Sequence, residues 1–211
     1  MSATIPRLAA VVLAAGASRR MGRPKQLLPL GGRPLLQHVL AAASGSMVAE
    51  TVLVLGHAAD EIRAGLTVPA RCRVVVNPQH AEGQSTSLAC GLAAIAADAV
   101  AAVVLLGDQP GVTSALIDRV AGAFLAGDAA AVRPVWTTAG MVRPGHPVVL
   151  ARRLWPALAA LGGDQGARAL FDAHPEWLRE VAVPGTPPAD IDDGEDYRRV
   201  LDAAGAASTG G

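Results

Sequence analysis

The stretch Val11-Val12-Leu13-Ala14-Ala15-Gly16-Ala17-Ser18-Arg19-Arg20-Met21-Gly22-Arg23-Pro24-Lys25 does most to restrict what this chain can become. An apolar run breaks at Gly16 into a short loop of small and cationic residues. The run reads as a strand buried on both faces and closed by a glycine turn, as in a parallel sheet. Loops leaving the carboxyl ends of such strands are where open α/β sheets bind ligands. Gly16 and Gly22 allow backbone amides to come close to a ligand. Arg19, Arg20, Arg23 and Lys25 then supply positive charge within the same loop. Small residues, free amides and cations together describe an anion cradle, and a polyphosphate suits it best. Lys25 is the only lysine in 211 residues. Its compact ammonium can seat between phosphate oxygens, where a planar guanidinium fits less well; the alternative is a solvated surface lysine. Neither the P-loop pattern nor Gly-x-Gly-x-x-Gly is present.

The same kind of run recurs. Thr51–Leu55 ends at Gly56, Cys72–Val76 at Asn77-Pro78, and Ala101–Leu106 runs into Gly107-Asp108-Gln109-Pro110. Between the runs, Leu35, Leu36, Val39 and Leu40 mark a helix over 33–43, and a short one spans 60–66. Leu88, Leu92 and Ile95 mark another, opened by Gly83-Gln84-Ser85-Thr86-Ser87. This alternation argues for parallel βαβ units. A helix over 113–124, a strand over 130–135, a loop over 136–145 and a strand ending at Leu150 follow. Then come a helix through Leu154, Leu158 and Leu161 and a strand over 178–183. A last helix should bury Tyr197, Val200, Leu201 and Ala204; the small and polar residues from Ala203 onward predict disorder.

The length suits one sizeable α/β domain. A net charge of zero gives no sign of a nucleic-acid or membrane surface. Positive charge gathered in one loop favours a small anionic ligand. Cys72 and Cys90 are too few for a disulfide scaffold and lack metal-ligand spacing, so both read as reduced packing residues. No apolar run reaches the roughly 20 residues of a membrane helix, and Met1 to Pro6 does not read as a signal peptide. A cytoplasmic protein is expected.

Several side chains are candidates for chemistry. Asp108, at the carboxyl end of a buried strand, needs a cation or hydrogen bonds; Mg²⁺ shared with substrate phosphates would satisfy it, or it only shapes the turn before Pro110. The hydroxyls of 83–87 either cap their helix or, near Asn77, meet a nucleotide base. His146 in Gly145-His146-Pro147 is an acid, a base or a phosphate donor, or it fixes its turn. Arg168, after Gly162-Gly163-Asp164-Gln165-Gly166-Ala167, grips a second phosphate or is solvated. Asp193 and Asp196 suit a helix start. Asp190 and Asp192, if extended, share a face and could meet a metal held by Asp108.

Five motifs in order resemble the MobA-like nucleotidyltransferase family, which includes molybdenum cofactor cytidylyltransferase (MocA-like) and its guanylyltransferase relative. Leu13 to Lys25 is similar without a gap to Leu-Ala-Ala-Gly-x-Ser-x-Arg-Met-Gly-x-x-Lys. Gly83-Gln84-Ser85, Gly107-Asp108-Gln109-Pro110, Gly145-His146-Pro147 and the Gly-Asp-x-Gly-Ala-Arg element ending at Arg168 follow. The aspartates around 190–196 also resemble the family's Asp-Ile-Asp-Thr-Pro-Glu-Asp-Tyr, with Asp193-Gly194 in place of Thr-Pro.

The resemblance implies a three-layer Rossmann-like fold with a central, mostly parallel sheet flanked by helices. One domain over 1–204 is expected, with a nucleotide half at roughly 8–110, an acceptor half at 111–204 and, from its composition, a disordered tail at 205–211. Lys25, Arg20 and Asp108 would be catalytic, and Asp108 and Asp192 would hold Mg²⁺. Leu13, Ala14, Ala15, Gly16, Ser18, Arg20, Met21, Gly22, Lys25, Asn77, Gly83, Gln84, Ser85 and Ser87 would bind nucleotide. Gly145, His146 and Arg168 would meet the acceptor. The implied reaction moves CMP from CTP to the terminal phosphate of molybdenum-molybdopterin, with a molybdoenzyme or its maturation chaperone as a partner. The alternatives are GTP as donor, another small phosphate as acceptor, or a non-catalytic nucleotide-binding protein.

Overall fold

The computed structural model describes residues 6–163 and 167–208. Asp164, Gln165 and Gly166 of the glycine-rich element, and residues 209–211 of the expected tail, lie outside them.

β1 (Arg7–Leu13) is the axis of the sheet. It pairs in parallel with β4 (Glu50–Leu55) on one side and β6 (Ala99–Leu106) on the other, and β5 (Cys72–Val76) lies parallel beyond β4. Past β6 the direction reverses at β9 (Val148–Ala151) and returns at β7 (Ala131–Thr138), which β10 (Leu178–Ala182) joins in parallel. The order β10-β7-β9-β6-β1-β4-β5 thus contains one antiparallel strand in an otherwise parallel path. β2 (Pro29–Leu30) and β3 (Arg33–Pro34) form a separate hairpin.

The apolar runs have no polar alternation because both faces of the sheet are covered. Leu8, Ala10 and Val12 of β1 face one apolar cluster, and Ala9 and Val11 face the other. The first is closed by α1 (Leu35–Ser44), α2 (Ala59–Ala64) and α4 (Ser114–Leu125) through Leu36, Val39, Leu40, Ile62, Ile117 and Val120. The second is closed by α3 (Gln84–Ala93), α5 (Trp155–Ala159) and α6 (Arg168–Ala173), with Leu88, Leu92, Trp155, Leu158 and Phe171. α3 lies so close to the sheet that a Cβ on Gly91 would fall 2.5 Å from Val11 Cγ1. Thr113 caps α4, its hydroxyl accepting from Leu116 N at 3.2 Å. Cys72 and Cys90 are free thiols, and burial pushes both up, Cys72 to about 11. Among the described residues no helix is long and apolar enough to cross a membrane.

Four expectations change. The loop expected over 136–145 is a hairpin: β8 (Met141–Pro144) pairs with β7 from Val135↔Pro144 to Thr138↔Met141. Ala139 and Gly140, with φ of 50° and 78°, close it as a tight two-residue turn. Every residue of β8 is exposed, so no apolar alternation marked it. The helix expected over 33–43 starts later, at Leu35: Arg33 and Pro34 form β3, and Pro34 stands at the N-cap position of α1. The last helix, α7 (Gly194–Ser208), continues into the expected tail, because alanine-rich sequence propagates a helix. Leu201 is exposed; Tyr197, Val200 and Ala204 pack against Leu28, Leu30, Leu35 and Ile191, and Leu201 is turned away from that stripe.

Candidate active site

The carboxyl ends of β1, β4, β5 and β6 open onto a cavity of about 660 Å³. Leu13 to Ala17 line one side, Leu106, Gly107 and Asp108 another, and Gly83, Gln84 and Ser87 a third. The cradle is shaped from within by Gln26, a buried amide 3% exposed. Its Nε2 donates to Ala14 O at 2.9 Å and Gly16 O at 3.3 Å, and Ser18 Oγ donates to its Oε1 at 3.4 Å. Ser18 and Gly22 turn the chain with φ of 50° and 65°, and Lys25 N donates to Ser18 Oγ at 3.1 Å. Nothing stands within 4 Å of where a Cβ on Gly16 would be, so the loop leaves room for close approach.

Lys25 occupies the charged end of the cavity. Its Nζ donates to Asp108 Oδ2 at 2.7 Å and to Asp192 Oδ1 at 3.1 Å. Burial works against the charge on Lys25, but Asp108 and then Asp192 outweigh it and hold its pKa above the ordinary lysine value. Arg20 stands at the rim, Nη2 3.7 Å from Asp192 Oδ2. Asp192 reaches Asp108 across the sequence because Ile191 is fully buried and its N donates to Asp108 O at 3.1 Å. Asp190 does not share the task. Its Oδ1 accepts from Gln109 Nε2 at 2.8 Å, and burial raises its pKa. Asp193 Oδ1 accepts from the amides of Glu195 and Asp196, and Asp196 Oδ2 from those of Asp192 and Asp193, so this pair caps α7.

Two carboxylates that one ammonium can bridge are also within reach of one divalent cation. Among the described residues there is no group of three or more His, Cys, Asp or Glu able to hold a metal. Two hard oxygen donors with the remaining positions left to water and phosphate are what Mg²⁺ favours, so the residues fit such an ion.

The base-side candidates divide. Gly83, Gln84 and Ser87 line the cavity. Asn77, 2% exposed, is committed inward: Nδ2 donates to Thr86 Oγ1 at 2.9 Å and Ser87 Oγ at 3.0 Å, and Oδ1 accepts from Gln79 N at 2.9 Å. Ser85 is 1% exposed, and its N donates to Gly163 O at 3.2 Å. Gly83 touches the same segment with φ of 121°; a Cβ there would lie 2.5 Å from the Gly163 carbonyl. Ser18 and Gly22 line an adjoining hollow, and Met21 packs toward Leu28 and Leu35.

His57 and His80 also line the cavity, their ring centroids 6.2 Å apart. Sequence reading passed over both and over Gln26. The glycine and asparagine ending the runs before His57 and His80 were the available signal, since they mark the ligand edge of the sheet. His146 lines a small apolar hollow that shares Leu13 and Gln84 with the main cavity. Burial takes its pKa down to about 4 against the opposing pull of Asp108, so its imidazole is neutral at pH 7. Gly145 backs onto Trp136, leaving no room for a Cβ. Arg168 is turned outward, its side chain 87% exposed and 3.8 Å from Asp172 on α6.

Residues 10–177 match the family model described as the MobA-like NTP transferase domain. A bifunctional protein GlmU from Kineococcus radiotolerans is 42% identical over 122 residues, 56% of this chain and 25% of that protein. The chain therefore spans about a quarter of that relative's length. Nicotine blue oxidoreductase from Paenarthrobacter nicotinovorans is 33% identical over 180 residues, 84% of this chain and 87% of that protein. The crystal structure of Rv0371c from Mycobacterium tuberculosis H37Rv superposes with a TM-score of 0.83 at 33% identity, covering 95% of this chain and 100% of that one. A manganese complex of Rv0371c superposes with a TM-score of 0.78 at 34% identity, over 94% and 100% of the two chains. With the family model matched over most of its length, and one relative and one solved structure similar nearly end to end, this chain belongs to the MobA-like NTP transferase domain family.

Proposed function

We propose that the chain transfers CMP from CTP to the terminal phosphate of a molybdopterin-type acceptor carrying molybdenum, with pyrophosphate leaving. The observation that carries the transfer chemistry is the convergence of Lys25, Asp108 and Asp192 at one end of the cavity whose wall is the Leu13–Ala17 loop. A phosphate monoester has its second pKa near 6 and is largely dianionic at neutral pH. Its oxygen attacks the α-phosphorus, the bond to the β-phosphate oxygen breaks, and no general base is required. Transfer of this kind is mostly positioning and neutralisation of charge. The loop amides and Lys25 hold the triphosphate, Arg20 adds charge at the rim, and the neutral His146 offers a hydrogen bond beside the acceptor without adding charge. A divalent cation held by Asp108 and Asp192 would neutralise the phosphate oxygens further; the manganese complex of Rv0371c supports that reading. Gln84 and Ser87 offer an amide and a hydroxyl to the base, and the resemblance of Gly83 to Leu88 to the Gly-Gln-Ser-x-Ser-Leu element of the cytidylyltransferase branch supports CTP over GTP.

The test is pyrophosphate release from CTP, GTP, ATP and UTP, each with Mg²⁺ and with a molybdopterin or a simple phosphate monoester. Release with CTP and the pterin alone is the expected result. Release with GTP keeps the reaction and changes the base. The relative named as an oxidoreductase favours one second reading, redox chemistry on a small organic molecule in the same cavity. Release with no nucleotide makes that reading the one to pursue.

A further inference from the structure

We infer that Lys25 is the resident counter-ion of the divalent-cation site in the free protein, and that the triphosphate has to draw it away before a cation can settle between Asp108 and Asp192. This deepens the nucleotidyl-transfer reading and takes from it the identity of the incoming anion.

Asp108 and Asp192 both turn an oxygen to one ammonium, and a cation between two carboxylates offsets their mutual repulsion. Lys25 supplies it, 2.7 and 3.1 Å from the two oxygens. Mg²⁺ lies about 2.1 Å from its oxygen ligands, so an ion bridging the same two oxygens would overlap the space of the ammonium and be repelled by it. Lys25 and the metal are alternatives there. Arg20 is no substitute: it lies 3.7 Å from the other Asp192 oxygen, and its side chain is 66% exposed.

The lysine is built to move at its tip and stay fixed at its base. Its backbone N is tied to Ser18 Oγ, while the side chain projects into the cavity that the loop lines. A triphosphate in the cradle offers Nζ new oxygens within reach of the same stem. Once Nζ has swung to them, the carboxylates are left bare, and the cation travelling with the nucleotide neutralises them. The chain's only lysine stands where a charge must change partners. An arginine would hold a carboxylate with a planar fork and release it less readily. Free protein therefore binds divalent cations weakly, and cation and nucleotide bind in strong mutual dependence.

The experiment is a Mn²⁺ titration of the full chain without nucleotide, following the free-ion signal by electron paramagnetic resonance. Lys25→Met is expected to bind Mn²⁺ about tenfold more tightly than the unmodified chain, since one unit charge has left a partly buried site. Lys25→Arg, which keeps the charge, should bind as weakly as the unmodified chain. Adding Asp108→Asn to Lys25→Met should remove the gain. Lys25→Gln is read in the same way should the Met variant fail to fold by circular dichroism. A folded Met or Gln variant with no gain, or a gain that survives Asp108→Asn, overturns the inference. Pyrophosphate release is scored apart. A chain that releases none from any nucleotide, yet gains Mn²⁺ affinity on loss of Lys25, refutes the transfer reading and leaves the exchange standing.

Discussion

The two sides of the ligand edge are built differently. On the side of β1, β4 and β5, two of the turns facing the cavity are held by buried amides: Gln26 behind the cradle and Asn77 behind the 83–87 turn. On the side of β7 and β8, the hairpin extends into solvent with Met141 and Val142 56% and 60% exposed, and Arg168 points away. A loop that takes a triphosphate, as proposed, needs a fixed shape to present its amides to the phosphate oxygens, and buried hydrogen bonds fix it. An acceptor can be gripped by side chains on a ladder that holds itself together. The braced side leaves one long contiguous motif in the sequence, and β7 and β8 leave only the short Gly145-His146-Pro147 that follows them.

The sharpest way to break this contrast is to remove chemistry from the braced side without touching its shape. Asp108→Asn should lower pyrophosphate release by about 100- to 1,000-fold, the loss usual when one preorganised charge-stabilising group is removed. The fold should persist, since the side chain is replaced by a near-isostere. Activity close to that of the unmodified chain would take the reaction away from Asp108.

Gln26→Leu attacks the shape and leaves the charges in place. The buried carbonyl of Ala14 and the more exposed one of Gly16 lose their side-chain donor. A stranded polar group costs about 1–3 kcal/mol, to be read by urea unfolding. The stabilisation that CTP adds to the melting temperature should shrink with it. A variant that keeps full nucleotide affinity would show that the cradle holds its shape through backbone alone, and the contrast between the two sides would weaken.

The strands from Thr51 and Ala101 were legible because strands buried on both faces are apolar throughout, and their ends then mark the ligand edge; Cys72–Val76, the edge strand with Arg73 in it, was legible from its valines and the Asn77-Pro78 break. Lys25 and Asp108 stood out in the sequence, each with a bland reading beside it, and Asp192 through the resemblance of its acidic stretch; that the three converge is visible only in the fold. What stayed hidden depends on contacts distant in sequence. Asn77 seemed free to read a base, but Thr86, Ser87 and Gln79 consume its amide. Asp190 and Asp192 share a face in an extended chain, and the resemblance alone singled out Asp192; in the fold the Gln109 amide and the buried Ile191 separate them. The β7–β8 hairpin is exposed along β8, so the periodicity that reveals half-buried strands was never written into it.

Asp196 gives a smaller effect with a defined pH signature. The amide of Asp192 and, after it, Arg199 and the amide of Asp193 hold its carboxyl below the ordinary value. A carboxyl lowered in the folded state contributes stability above its unfolded pKa, and loses it as pH falls through the folded one. Asp196→Ala should cost about 1 kcal/mol at pH 7, as for other lost helix caps. The two proteins should converge in stability as the pH is taken below the ordinary carboxylate range. A constant difference down to acid pH would mean that the side chain acts there by packing.

The hairpin tip should show the least effect of all. Met141→Ser with Val142→Thr replaces exposed side chains whose backbone ladder to Thr138 and Thr137 is untouched. Surface changes of this kind stay within about 0.5 kcal/mol, and the CTP-dependent melting shift should not move, because neither residue borders the nucleotide cavity. The informative quantity is then the Michaelis constant for the acceptor. A rise in that constant alone would place acceptor contacts on the ladder side and complete the contrast. A loss of stability instead would show that the tip is buried in solution against something this chain alone does not provide, and sedimentation of the variant would reveal whether that is a second copy.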